Sequence, residues 1–293
     1  MQRVFRPTTM AGLLAVATAS TAWVAPASAF TIVQENDLNS LLTSLLGDTT
    51  GLSGFSASST GSPQAFGLFS ADPFSLGSGV VLSTGVVTQI PGTNLGSNDL
   101  STDLNQPGIG PVPGEGGGSA NTFDLAQLDI SFFASDSVSD LFFTYVFGSD
   151  EFPEFGGSQY NDRFNLLLNG VNLAKLSDGQ TVSINNLVPA PSGPFHPDYI
   201  DNPVGSGSFN TKLDGFTKPL TFQGSLLQNA TNTLSIQIFD VSDGIYDSAV
   251  FIKGGTVGVV KPTVPEPGLV LGLLGIAGAA LVGRQRRTFT SEE

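Results

Sequence analysis

Residues 142–164 read FFTYVFGSDEFPEFGGSQYNDRF. The first six are aromatic or β-favouring and form one apolar run, the length of a single buried strand. The run then breaks into a turn crowded with Asp150, Glu151, Glu154 and Asp162 and interrupted by Pro153 and Gly156-Gly157. A strand followed by an acidic loop is the order expected of a site carried on a rigid β scaffold. A second acidic turn of the same kind, FDVSDGIYDSAVF, occupies 239–251. The two are expected to form one acidic corner that holds strand ends together, with Asp150 close to Asp247.

Outward from this stretch the β signal is dense. FNLLLNGVNLAKL (164–176) reads as a hairpin, two apolar runs joined by Asn169-Gly170, a type I′ turn pair. Leu128, Ile130 and Phe132 alternate with polar residues. FGLFS (66–70), TVSI (181–184), LTFQ (220–223), LSIQIF (234–239), SAVFI (248–252) and TVGVV (256–260) read as further short strands. GVVLSTGVV (79–87) is apolar on both faces, which predicts a mid-sheet strand bent at Gly85. One helix is predicted, from Leu38, Leu41, Leu42, Leu45 and Leu46 at helical spacing, with Asn36 or Asp37 as cap and Gly47 as stop. Residues 51–63 read as a Gly/Ser-rich loop, and 91–121 and 188–219 as long irregular segments, the latter with His196 as a surface ring. The sum is an all-β domain over 30–261, a β-sandwich or jelly-roll-like fold with one short N-terminal helix.

Composition narrows the chemistry. Between residues 30 and 261 there are 22 Asp/Glu against 6 Lys/Arg, so no basic patch exists to neutralise nucleic-acid phosphate. The absence of Cys removes thiol chemistry, disulfides and Cys-based zinc sites, and a single His removes His triads and multi-His metal sites. The acidic balance suits a divalent cation, or simply solubility. Asp240, Asp243 and Asp247 lie within one turn, where they repel one another unless a cation or hydrogen-bond donors intervene. Ca²⁺ accepts six to eight oxygens in flexible geometry, and Asp150, Glu151, Asn161 and Asp162 would add ligands from the first turn. The spacing is not that of an EF-hand. Turn capping by Asp240 and Asp247, with Glu151 and Glu154 as solvated surface, explains the same residues without a metal. Phe152, Phe155, Tyr160 and Tyr246 are either a binding platform or turn packing. No carboxylate is marked as a raised-pKa acid, and Tyr and Trp are scarce, so no catalytic residue is assigned and no enzymatic activity is expected. Two alternatives stand behind a structural or adhesive role: a Ca²⁺-dependent carbohydrate-binding module, and a secreted glycan hydrolase.

Both ends read as processing signals. Arg3 and Arg6, an apolar Ala-rich stretch and the Ala27-Ser28-Ala29 site predict a signal peptide over 1–29, exported by the Sec machinery and cleaved before Phe30. Residues 268–282 are uncharged, about 23 Å as a helix, which is short for a permanent span. Val264-Pro265-Glu266-Pro267, this apolar helix, and then Arg284, Arg286 and Arg287 together resemble a PEP-CTERM sorting signal over 262–293. The resemblance implies recognition by exosortase, and a Gram-negative-type bacterial protein at the cell surface or in the extracellular matrix. There exopolysaccharide is a possible partner. The helix would anchor the protein in the inner membrane, transiently or permanently. Three internal stretches carry a second resemblance: GVVLSTG (79–85), YVFGSDEFPEF with YNDRFNLLLNG (145–155, 160–170), and FDVSDGIYDSAVFI (239–252). They are similar to the choice-of-anchor L domain, over nearly all of 32–255. That resemblance implies an extracellular bacterial β domain placed upstream of a C-terminal anchoring signal; it implies architecture and address rather than a chemistry.

Overall fold

A computed structural model describes residues 29–262. The signal peptide expected over 1–29, up to its last residue, and the sorting segment expected over 262–293, from Val264 through its apolar helix to Arg287, lie outside the described residues. Among the described residues no helix is long and apolar enough to cross a membrane. In chain order the elements are β1 (Thr31–Gln34), α1 (Leu38–Leu45), β2 (Leu52–Thr60), β3 (Phe66–Ser70), β4 (Ser78–Ser83), β5 (Val112–Pro113), β6 (Ser119–Ala120), β7 (Thr122–Ala134) and β8 (Asp140–Ser149). They continue with β9 (Arg163–Leu168), β10 (Val171–Asn172), α2 (Ile184–Leu187), β11 (Tyr199–Asp201), β12 (Gly215–Thr217), β13 (Leu220–Ser225), β14 (Ala230–Val241) and β15 (Ser248–Lys253).

The strands form two large antiparallel sheets, with β5 and β6 paired separately as a two-stranded ribbon. One has the order β1-β3-β4-β15-β8-β12-β11, with β13 also paired to β8; the other has the order β10-β9-β14-β7-β2. Their inner faces share one core: Val80, Leu82, Phe143, Tyr145, Phe147 and Ile252 from the first meet Leu128, Ile130, Phe132, Leu166, Leu168 and Ile236 from the second. This is the expected all-β sandwich. The back of the larger sheet is also covered, by a second cluster in which Phe74, Val81, Val146, Phe216 and Phe251 pack together. Burial on both faces is why β4, β8 and β15 read as continuous apolar runs instead of alternating ones. Helix α1 buries Leu41, Leu42 and Leu45, and Asp37 caps it by accepting the Ser40 N–H at 2.8 Å. Asn169 and Gly170 both have positive φ (53° and 84°), as the expected type I′ turn requires.

Topology places the two acidic turns side by side. The chain crosses from the first sheet to the second between β8 and β9, and crosses back between β14 and β15. Because β8 pairs with β15 and β9 with β14, both crossovers run at the same end of the sandwich. The Asp150 N–H donates to the Asp247 carbonyl at 3.0 Å, so the expected proximity holds.

Five sequence expectations are corrected. Residues 52–60 form a nine-residue edge strand, not a loop. A bulge between Ser53 and Ser56, with Gly54 at φ 65°, shifts the phase of the strand. Leu52, Phe55 and Ala57 thereby all face the core, and the simple alternation that would have announced a strand is lost. TVSI is not a strand: Thr181 and Ser183 make isolated bridges, and Ser183 caps the short helix α2. TVGVV likewise makes only bridges, Val257 to Leu46 and Gly258 to Phe142. His196 is not a surface ring. Its side chain is 7 % exposed, with Nε2 3.3 Å from Asp178 and Nδ1 accepting the Asp198 N–H at 3.1 Å. The segment around it is also less irregular than expected, since β11 and β12 extend the larger sheet beside β8.

Phe143 is fully buried at the sheet interface and stacks on Phe222 at 4.4 Å between ring centroids. Phe143→Ala is expected to cost about 3–5 kcal/mol, seen as a lower urea midpoint with an unchanged m-value.

Candidate functional site

The acidic corner is built from carboxylates turned inward. Asp150, Glu151, Asp162, Asp240 and Asp247 are all buried, and Asp243 is half-buried at the turn tip. Asp162 Oδ1 accepts the Val241 N–H at 2.9 Å and its Oδ2 accepts the Ser248 hydroxyl at 2.8 Å, which ties the end of β14 to the start of β15. The Asp240 side chain adjoins those of Asp162 and Thr84. Asp247 lies against Gly85: a Cβ at that position would fall 1.7 Å from Asp247 Oδ2. The bend expected at Gly85 is therefore the seat of this carboxylate.

Three acids fasten the long segment 91–121. Asp150 Oδ2 accepts the Leu100 N–H at 2.9 Å, and Asp247 Oδ1 accepts the Thr102 N–H at 3.0 Å. Asp124 accepts the Leu104 N–H at 3.0 Å and the Gln106 N–H at 2.7 Å. Alternate residues of an extended segment present their N–H groups to one side, and each donor here meets a carboxylate. Asp124 was not among the residues singled out in the sequence, nor was Asp214, whose Oδ1 accepts from Asn94. The available signal was an acid interrupting an apolar stretch, in FDLAQL and in KLDGF.

Asn161 and Glu154 do not join the buried acids. Glu154 is exposed, and the Asn161 amide donates to Glu115 Oε1 at 2.7 Å and accepts the Asn185 N–H at 3.0 Å. It lines a cavity of about 320 Å³ together with Glu115, Arg163, Asn165, Asn172, Ser183 and Asn186. From this cavity a row of amides crosses the smaller sheet. Asn172 donates to Asn165 (2.7 Å), Asn165 to Gln237 (3.4 Å), Gln237 to Gln127 (3.0 Å), and Gln127 to Asp129 (2.7 Å). Among the described residues, no three Asp, Glu or His side chains are gathered as a ready metal-ligand set.

The aromatics near the acids divide. Phe152 is core, 4.9 Å from Tyr199 and 6.3 Å from Phe147 between ring centroids. Phe155 packs between Tyr160 and Tyr246 over the turns. These contacts are turn and core packing.

The sequence matches the family model of the choice-of-anchor L domain over residues 25–258. The chain belongs to the choice-of-anchor L family. No curated protein matches it, and no solved structure does. Both sheets, both acidic turns and the 91–121 segment fall inside the matched span, so the corner is part of the choice-of-anchor L domain itself. The family makes this a cell-surface or exported protein.

Electrostatically, the corner of this choice-of-anchor L domain lacks counter-charge. Among the described residues no Lys or Arg pairs with an acid of the corner, and the one His, His196, lies against Asp178 and Asp198 instead. Burial therefore pushes the carboxyls up: Asp150 to about 8 and Asp247 to about 7, each helped by neighbouring acids and opposed by the backbone N–H it accepts. Burial raises Glu151, Asp162 and Asp240 as well, and the charge of Asp162 adds to the rise of both Glu151 and Asp240. Buried oxygens without a hydrogen-bond partner remain on Asp150 (Oδ1), Glu151 (Oε2), Asp214 (Oδ2), Asp240 (Oδ1) and Asp247 (Oδ2).

Two outcomes follow. Asp124→Ala is expected to free Leu104 and Gln106, so limited proteolysis should cut within 91–121 at least about tenfold faster while the rest of the domain stays protected. Asp214, raised by burial to about 8, keeps its proton in the folded chain but ionises near 3.8 when unfolded. Its contribution is fully present below that lower value and is lost as pH rises through about 8. Melting temperatures between pH 4 and 8 should therefore fall less steeply in Asp214→Asn, which keeps the acceptor for Asn94.

Proposed function

We propose that the protein is exported through the Sec machinery, sorted at its C terminus by exosortase, and held at the cell surface or in the extracellular matrix. The role of the domain there is structural and adhesive, without catalysis. The observation that carries the adhesive reading is the amide-lined cavity with its row of amides across the smaller sheet. Asn172, Asn165, Gln237 and Gln127 lie on successive strands about 4.8 Å apart, close to the length of one sugar unit, and Asn161 and Asn186 add amides at the cavity. Uncharged amides and hydroxyls suit the hydroxyl groups of a neutral exopolysaccharide. The same cavity favours a carbohydrate-binding module as the second reading. Glycan hydrolysis would use two carboxylates about 5–10 Å apart on one cleft, and the cavity lining contributes one, Glu115.

Sorting is supported by placement. Val259 makes a backbone bond to Asp48 at 2.8 Å close to the end of the domain, and the Val264-Pro265-Glu266-Pro267 stretch follows shortly after. The PEP-CTERM reading thus puts the processing site a few residues after this bond in the sequence.

The adhesive reading is tested on a glycan array with the mature protein. Wild type should bind a neutral polysaccharide, and Asn165→Ala with Gln237→Ala should weaken binding at least about tenfold, as expected when a polar site loses its partners. Equal binding by the variant, or none by wild type, would remove it. Mass spectrometry of protein isolated from its own host should find an N terminus at Phe30 and a C terminus lacking Arg284; a mature chain still carrying Arg284 refutes exosortase processing.

A further inference from the structure

We propose that the amide-lined cavity is selective for an N-acetylated hexosamine unit, with Arg163 donating to the carbonyl oxygen of its acetamido group and Glu115 accepting the acetamido N–H. The inference rests on the neutral-polysaccharide reading of this cavity and adds the chemical class of sugar that it takes.

Arg163 is the one arginine between residues 30 and 261, in a stretch rich in acids. Even so, among the described residues no carboxylate lies within ion-pair distance of its guanidinium. The side chain is half-buried in the cavity wall and donates to the Pro113 carbonyl at 2.5 Å. Its other N–H donors have no protein partner among the described residues. Glu115 lines the same cavity and holds the Asn161 amide through Oε1 at 2.7 Å, which leaves Oε2 without a partner there.

Backbone geometry brings the two groups together. Asn161, Arg163 and Asn165 are alternate residues leading into β9, so their side chains share one face, and all three line the cavity. The β5–β6 ribbon is fastened to the start of β9 twice, Pro113 to Arg163 and Glu115 to Asn161. On its other side Arg163 makes a backbone bridge to Ser183, a further residue of the lining. The cavity amides are largely spent on neighbours. Asn161 also accepts the Asn185 N–H at 3.0 Å, and Asn172 donates to Asn165 at 2.7 Å while accepting the Leu166 and Ala174 N–H groups. The charged donor and the charged acceptor are therefore the groups with capacity left.

Chemistry chooses among ligands. A guanidinium alone suits an anion such as a uronate or a phosphate. Here Glu115 shares the cavity and the domain around it is strongly acidic, so an anionic chain is repelled both at contact and at range. A plain sugar hydroxyl offers a single rotating donor. An acetamido group is neutral and planar, and its C=O and N–H point in fixed opposite directions, so a guanidinium and a carboxylate can take one each. Hydrogen bonds to charged partners are also the stronger kind. A volume of about 320 Å³ lies at the lower end of ligand sites, the size for one substituted sugar ring rather than a length of chain.

The test titrates the mature exported protein calorimetrically with two neutral oligosaccharides of the same linkage and length, one of N-acetylglucosamine and one of glucose, which differ only in the acetamido group. The N-acetylated oligomer should bind at least about tenfold more tightly. Glu115 is exposed, and Glu115→Gln keeps an acceptor for Asn161, so the ribbon stays fastened. This variant and Arg163→Gln should each weaken the N-acetylated oligomer at least about tenfold and leave the affinity for the glucose oligomer unchanged. A purely structural disturbance of the cavity would weaken both oligomers alike, and that result overturns the inference. Equal affinity of wild type for the two oligomers also overturns it, and leaves the neutral-polysaccharide reading standing. So does a preference that survives both substitutions, because the acetamido group is then recognised elsewhere. Binding of neither oligomer overturns the inference as well, and the glycan array then decides the broader reading by itself.

Discussion

The backbone bond from Asp150 to Asp247 is one rung beyond the end of the β8–β15 ladder, and the rest of this end of the sandwich depends on it. Ser149 and Ser248 close the regular pairing, and their hydroxyls meet at 3.0 Å. The next rung joins two segments that have both just left their strands for the opposite sheet. With the crossovers joined, Ser83 and Thr84 at the end of β4 bond to Ser248, and the Asp247 N–H reaches the Leu100 carbonyl at 2.8 Å. Two sheets, a bent strand and a long segment are thus indexed to one short stretch of backbone.

Carboxylates suit this junction because they only accept. Segment 91–121 arrives with N–H groups that no strand pairs, and an Asp offers two oxygens with several lone pairs to receive them. Asp124 serves Leu104 and Gln106 at once, which a hydroxyl could not do as well. Hydrogen bonds to charged groups contribute about 1.5–3 kcal/mol each, while removing a carboxylate from water opposes folding. The opposition is visible where acids outnumber donors. Asp150 gains one N–H and is still pushed up to about 8. A corner held this way is useful as architecture and costly as electrostatics. A domain of folding stability about 5–15 kcal/mol leaves little room for unpaired buried acids, and Asp150, Glu151, Asp214, Asp240 and Asp247 each keep one such oxygen.

Much of this was readable from residues in isolation. The β8 run, the Asn169-Gly170 hairpin, the Leu stripe of α1 and the both-faces-apolar β4 each follow from local periodicity or turn chemistry, and each stands as expected. The misses share a cause. β2 was hidden by a bulge at Gly54, which breaks the alternation a strand normally shows. TVSI has the right composition for a strand, but Ser183 spends its hydroxyl on a helix cap. His196, flanked by prolines, looks solvated until Asp178 and Asp198 are brought to it. In each case backbone geometry or hydrogen bonding, which composition does not announce, decided the outcome.

Composition and period are local properties, so they establish along the chain an acidic, Cys-free, all-β domain with Asp150 and Asp247 in matching turns. Only the tertiary structure decided what those acids do. Strand order placed β8 beside β15 and β9 beside β14, which turned two separate acidic stretches into one buried junction. It also recruited Asp124 and Asp214, and it turned Asn161 away from the acids toward the amide cavity. Burial and hydrogen-bond partnership are pairwise and long-range, so no reading along the chain could assign them.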